Sequence, residues 1–187
     1  MANVSRPNGL TPVKHLTGGT PQRANEYTIA DEYGTALYSG MVVKSTGTGR
    51  NIEAGTTTGV ARGVFAGCRY QNAAGDVVFS PVWPAATKLK AGTTAVAFVY
   101  DDPNTVFEVQ VDTIAAADIG QTYDLVIGTG DPATGRAATT IADATKGSDN
   151  VVRALGLADR PDNAFGANAK VEVVFALHEL IARNTAV

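Results

Sequence analysis

The chain has 187 residues, of which 44% are hydrophobic and only 18% are charged. Its 15 basic and 18 acidic side chains give a formal net charge of -3, which argues against a polybasic binder of nucleic acid or of a membrane surface. No apolar run approaches the roughly 20 residues that span a bilayer, and one cysteine excludes an intramolecular disulfide framework and a cysteine-rich zinc site.

The first 25 residues differ from the rest, because they contain three prolines and three glycines and show no sustained periodicity. This composition predicts an extended N-terminal arm over residues 1–25 that forms no packed element by itself. Two interpretations stay open. The arm is a disordered tail, or it orders against a neighbouring subunit through the apolar side chains of Val4, Leu10, Val13 and Leu16.

Residues 26–187 are expected to form the folded domain, because short apolar runs, several of them alternating with polar residues, recur between turn signals. In Val106–Asp112, for example, Phe107, Val109 and Val111 share one face. Gly63 and Gly67 indicate a bulge, and Pro81 indicates an edge or the end of a strand. The predicted strands are Leu37–Lys44, Gly59–Tyr70, Asp76–Val82, Ala95–Tyr100, Val106–Asp112, Tyr123–Ile127, Val151–Ala158 and Val171–Leu177.

This pattern predicts an all-β fold, an antiparallel barrel or sandwich with at most one short helix. The candidate helical turn is Thr113–Gly120, which is too short to stand alone. Residues 176–183 fit a helical face as an alternative to the favoured strand that frays after His178. A break near residues 84–94 marks a seam between two lobes or a long loop.

Side chains that carry chemistry are sparse. His178-Glu179 begins like a zinc-protease motif, but Ala182 stands where the second histidine would be. Cys68 alternates with apolar neighbours and is expected to face the core. Asp101-Asp102-Pro103-Asn104 is typical of a turn, although a small hydrolase using Asp101 or Asp102 with His178 stays open as a rival. We therefore expect no enzyme activity, no cofactor and no metal ligand.

The order of several segments carries a resemblance. Leu37-Tyr38-Ser39-Gly40-Met41-Val42-Val43 is followed by Phe79-Ser80-Pro81-Val82-Trp83-Pro84, then by Tyr100-Asp101-Asp102-Pro103-Asn104, and the series closes with Gly156-Leu157-Ala158-Asp159-Arg160-Pro161-Asp162-Asn163. From about Asn25 to Glu179, the chain resembles a family of tailed-bacteriophage virion proteins that decorate or cement the capsid. These motifs are turns and strand faces, so they indicate a family more directly than a function.

The resemblance implies a protein on the outside of the virion that binds the major capsid protein, bridges adjacent subunits and stabilises the head. It also implies a homo-oligomer, with a trimer favoured over a dimer, and no partner among nucleic acids or membranes. We expect the capsid or partner contacts to lie at Arg6, Pro7, Leu10, Val13 and Leu16, with Trp83 as a further candidate. The alternative function is a carbohydrate- or receptor-binding module of a phage tail, which requires Tyr70, Trp83 and Tyr100 to face outward.

Overall fold

Antiparallel strands dominate the computed structural model, which describes residues 3–20, 23–147 and 150–181. The single helix in these ranges is a 3-10 turn at Ala116–Asp118. The strands, numbered in chain order, are β1 Thr11–His15, β2 Asn25–Ile29, β3 Leu37–Tyr38, β4 Val42–Ser45, β5 Ile52–Ala54, β6 Gly63–Gln71, β7 Val77–Ser80, β8 Val82–Trp83, β9 Ala95–Tyr100, β10 Thr105–Gln110, β11 Thr113–Ile114, β12 Thr122–Val126, β13 Thr140–Gly147, β14 Val152–Leu157, β15 Gly166–Ala167 and β16 Lys170–Phe175. The predicted all-β fold is confirmed.

Two six-stranded sheets organise the chain. The first sheet has the order β1-β10-β16-β14-β12-β13, and the second has the order β2-β9-β6-β4-β5 with β7 beside β6. The short pairs β3-β8 and β11-β15 lie outside them. Neither sheet closes into a barrel; the edges of the second sheet meet only at an isolated bridge between Thr28 and Asn51. Of the two predicted architectures, the sandwich-like one fits.

Strands β4 and β6 lie where the two sheets meet, and they bury both faces. Val42 and Val64 belong to the apolar core of the first sheet. Their chain neighbours Val43 and Phe65 belong to the core of the second sheet. Because successive side chains of a strand point to opposite faces, two consecutive apolar residues supply both cores at once.

The chain passes from the second sheet to the first in the turn between β9 and β10. In that turn the Thr105 amide donates to the Asp102 carbonyl at 3.0 Å, and the Asn104 amide donates to the Asp102 carboxylate at 2.9 Å. The predicted turn chemistry is therefore confirmed. This change of sheet falls at residues 101–104. Residues 84–94, predicted to be a seam between lobes or a long loop, connect β8 to β9.

Two predicted strands are divided. Residues 39–41, with Gly40 at a φ of 90°, separate β3 from β4, and Pro81, which has no amide donor, separates β7 from β8. The bulge expected in β6 is present between Phe65 and Gly67. Residues 176–181 form bends, one bridge and a turn, so the described part of the alternative C-terminal helix is not helical. Residues 182 and 183 lie outside the described residues.

The segment after β16 connects the two sheets through hydrogen bonds. The Glu179 carboxylate accepts hydrogen bonds from the backbone amide of Ser45 at 2.8 Å and from its hydroxyl at 2.6 Å. The Ala61 amide donates to the Leu177 carbonyl, and the Glu179 amide donates to the Ala61 carbonyl. The end of the first sheet is thus hydrogen-bonded to the β4–β6 region of the second.

Candidate interaction surfaces

The predicted N-terminal arm lies on its own domain. Residues 11–15 form β1, which pairs with β10 at the edge of the first sheet. Part of the arm is therefore ordered against its own domain, which neither of the two interpretations of the arm included. Strand β10 offers a ladder to which even a proline-containing segment can add as an edge strand, since an edge position tolerates a missing amide donor.

The predicted contact residues of this segment divide into buried and exposed ones. Leu10 is 1% exposed and packs in the core of the first sheet, so its side chain has almost no exposed surface for the predicted partner contact. Arg6, Pro7, Val13 and Leu16 are exposed. Their side chains are accessible to a partner, and the segment that carries them is already ordered at the edge of the first sheet.

A close crossing of two glycines holds the segment in place. The Leu10 amide donates to the Gly40 carbonyl at 2.9 Å, and a Cβ built on Gly9 would lie 2.5 Å from that same oxygen. Gly9 also has a φ of 67°, in the left-handed region that favours glycine. A side chain at Gly9 would therefore separate the segment from the second sheet.

Trp83 is completely buried, so its side chain has no exposed surface for the predicted partner contact. Its indole NH donates to the Tyr33 carbonyl at 3.4 Å, and its ring meets that of Tyr70 edge-on with centroids 5.2 Å apart. Tyr70 is also buried, and Tyr100 is partly buried against the first core. The outward aromatic platform required by the carbohydrate-binding alternative is not formed by these three residues.

The outer face of the second sheet exposes an apolar surface whose residues are not among the predicted partner contacts. Phe79 is 70% exposed and Val77 is 62% exposed, both on β7. Val96 and Phe98, which are partly buried, lie on β9. Strand β6 lies between β7 and β9, and its residue Arg69 is paired with Phe79 on one side and with Val96 on the other. We call Val77, Phe79, Val96 and Phe98 the β7 face.

A shallow depression of about 360 Å³ lies between Phe79 and Phe98, at one end of the β7 face. Phe79 and Phe98 form its apolar walls, and the bulge at Gly67 forms part of its floor. In the described structure β7 pairs only with β6, so its other side is an edge. In the sequence, Val77 and Phe79 are two residues apart and therefore share one face of the strand, but the Asp76–Val82 run has apolar residues on both faces and does not indicate which face is exposed.

Cys68 and His178 are both buried. Cys68 is buried as expected, and burial raises the pKa of its thiol to about 12. His178 lies at the sheet junction and is 1% exposed. Burial lowers the pKa of His178, and the nearby Arg62 lowers it further.

Asp101 belongs to a buried polar cluster in which each carboxylate oxygen has a partner. The Asn25 amide donates to Oδ1 at 2.7 Å and the Tyr27 hydroxyl donates to Oδ2 at 2.5 Å. The carboxylate of Asp102 instead accepts a hydrogen bond from the backbone amide of Asn104, and its Oδ2 lies 2.9 Å from Nε2 of His15. The hydrolase rival needs Asp101 or Asp102 together with His178 in a cleft. Five surface depressions formed by the described residues are lined by other side chains.

Among residues 3–20, 23–147 and 150–181, no group of three or more His, Cys, Asp or Glu side chains is arranged to hold a metal ion. No helix in the same ranges is long and apolar enough to cross a membrane. Comparison of the chain with protein-family models, curated proteins and solved structures gave no match.

Proposed function

We propose that the protein is a non-enzymatic capsid decoration protein of a tailed bacteriophage. It binds the lattice of the major capsid protein on the outside of the head, bridges adjacent subunits and stabilises the shell. Two features support this proposal. One is the resemblance carried by the order of the turn and strand segments, and the other is the exposed apolar surface of the second sheet.

The β7 face is the observation that carries the proposal. Phe79 and Val77 project from an edge strand with most of their apolar area in water. Contiguous apolar surface of this kind marks interaction sites on folded proteins, and an unpaired strand edge offers backbone donors and acceptors to an incoming chain. We therefore assign the contact with the capsid protein to the β7 face.

Arg69 adds a positive charge to the β7 face. It is exposed on β6, opposite Phe79 in the β6–β7 register and opposite Val96 in the β6–β9 register. Arg69 therefore stands between the apolar side chains of β7 and those of β9, inside the β7 face. A charged group in an interface fixes the register of docking more than it adds affinity. The capsid surface that fits is apolar with an acidic residue opposite Arg69.

Stabilisation follows from binding linkage. A protein that binds only the assembled shell favours the assembled state, and each bound copy adds to this effect. A homo-oligomer, with a trimer favoured over a dimer, multiplies a weak contact through effective concentration. Neither nucleic acid nor membrane is needed as a partner.

The experiment is a sedimentation assay with undecorated heads and purified protein. We expect the protein to sediment with the heads, to saturate at a fixed number of copies, and to raise the temperature at which the heads release their DNA. Protein that stays in the supernatant at all concentrations would contradict the proposal. Specific binding on a glycan array under the same conditions would favour the carbohydrate-binding alternative.

A further inference from the structure

A polar pocket of about 410 Å³ lies between the N-terminal segment and the loops that flank β15 and β16. Arg6 and Asn8 line it from the N-terminal side, and Lys170 begins β16 on the other side. Arg160 and Asp162 come from the turn after β14. The pocket thus collects three cationic side chains on a chain whose net charge is -3.

The ammonium group of Lys170 is partly buried and has only neutral acceptors. It donates to the backbone carbonyl of Arg6 and to the side-chain oxygen of Gln110, the latter at 3.2 Å. Burial lowers the pKa of Lys170, and the neighbouring Arg160 lowers it further, whereas Glu108 raises it. A partly desolvated cation without a paired carboxylate gains from an anion placed beside it.

The other two cationic side chains, Arg160 and Arg6, differ in their partners. Arg160 is neutralised by Glu108, whose two carboxylate oxygens lie 2.8 and 2.7 Å from its Nη2. Arg6 is held through its backbone, because its amide donates to Gln110 at 2.6 Å and its carbonyl accepts from Lys170. Its guanidinium group has no hydrogen-bond or ion-pair partner among the described residues.

The remaining charges leave the pocket positive. Arg6 and Lys170 contribute two positive charges that are unpaired in the described structure, and Asp162 contributes one negative charge, so the sum is one positive charge. A guanidinium group offers two parallel donors that match a carboxylate or phosphate, and an ammonium adds a third donor. The amide of Asn8 also lines the pocket.

We propose that this pocket binds an oxyanion, a phosphate or a carboxylate group, between the guanidinium of Arg6 and the ammonium of Lys170. The anion would link the N-terminal segment to β16, because Arg6 of the segment and Lys170 of β16 would bind the same ligand. This site is separate from the β7 face and does not depend on the capsid proposal.

The test is titration calorimetry of the full chain with inorganic phosphate and, separately, with citrate, in a chloride buffer of constant ionic strength. Saturable binding of either probe is expected, and the probe that binds more tightly identifies the group as phosphate or carboxylate. Arg6→Gln should weaken binding by about tenfold or more, whereas Arg69→Gln, the same charge change on the second sheet, should leave it unchanged. Absence of saturable binding for both probes, or equal affinities of the two variants, would overturn the proposal.

Discussion

The hydroxyl of Tyr27 donates a hydrogen bond of 2.5 Å to Oδ2 of Asp101, and both residues are buried. Tyr27 lies on β2, and Asp101 directly follows β9, the strand that pairs with β2. The same hydroxyl accepts hydrogen bonds from Nε and Nη2 of Arg62 at 2.7 and 2.5 Å. One phenol oxygen therefore links a buried carboxylate to the guanidinium that also faces Glu179 from the other sheet at 3.6 Å.

Replacement of Tyr27 by phenylalanine should lower the free energy of unfolding by about 1–3 kcal/mol, because Asp101 and Arg62 both lose a buried partner. Tyr38→Phe is the matched control, since the Tyr38 hydroxyl makes no hydrogen bond among the described residues and the variant should change stability by less than about 0.5 kcal/mol. Urea denaturation followed by fluorescence measures both. Equal midpoints for the two variants would show that the cluster contributes nothing.

Leu10 should matter to stability far more than its place near the N-terminus suggests. Leu10→Ala is expected to cost about 2–5 kcal/mol, because it opens a cavity in the core of the first sheet. Val13→Ala, on the same segment but exposed, should cost less than about 0.5 kcal/mol. If Leu10→Ala behaved like Val13→Ala in urea denaturation, the segment would not be docked on the domain in solution.

His178 should make stability depend on pH on the acid side. Burial lowers the pKa of the folded-state imidazole below its ordinary value of 6.5, Arg62 lowers it further, and Asp101 and Glu179 oppose this in part. The unfolded state therefore takes up the proton first as the pH falls below 6.5. The contribution of His178 is fully present above that pH and is lost progressively below it, until the pH reaches the folded-state pKa.

This dependence is measured by comparing wild type with His178→Gln in urea denaturation between about pH 5 and pH 8. The difference in unfolding free energy between the two proteins should shrink as the pH falls, by at most about 1.4 kcal/mol per pH unit. A constant difference across this range would mean that His178 titrates alike in the folded and unfolded states.

The strands that alternate cleanly were predictable from sequence. Val106–Asp112 and Val171–Leu177 correspond to β10 and β16, because period-2 patterning depends only on one face being buried. Strands β1 and β13 were missed. Pro12 and the glycines around β1 suggested a loop, and the run of threonine, alanine and charged residues in β13 has no apolar face to detect.

The candidate surfaces were harder to predict, because exposure depends on which face a sheet covers. Leu10 and Trp83 are predicted partner contacts, yet both are buried. Phe79 belongs to a run that is apolar throughout, and its side chain is exposed because the outer face of β7 is uncovered. Sequence patterning locates faces but does not say which face another element will cover.

The most direct test of the proposed function compares two exposed phenylalanines in the assay with undecorated heads. Phe79→Asp places a charge in the β7 face, and Phe165→Asp places the same charge in the loop before β15, where Phe165 is 46% exposed. Both variants should fold, as checked by circular dichroism, because neither side chain is buried.

We predict that Phe79→Asp weakens binding to the heads by at least about tenfold, as expected for loss of a central aromatic anchor, and that Phe165→Asp binds like wild type. Full binding by a folded Phe79→Asp variant would contradict the assignment of the capsid contact to the β7 face.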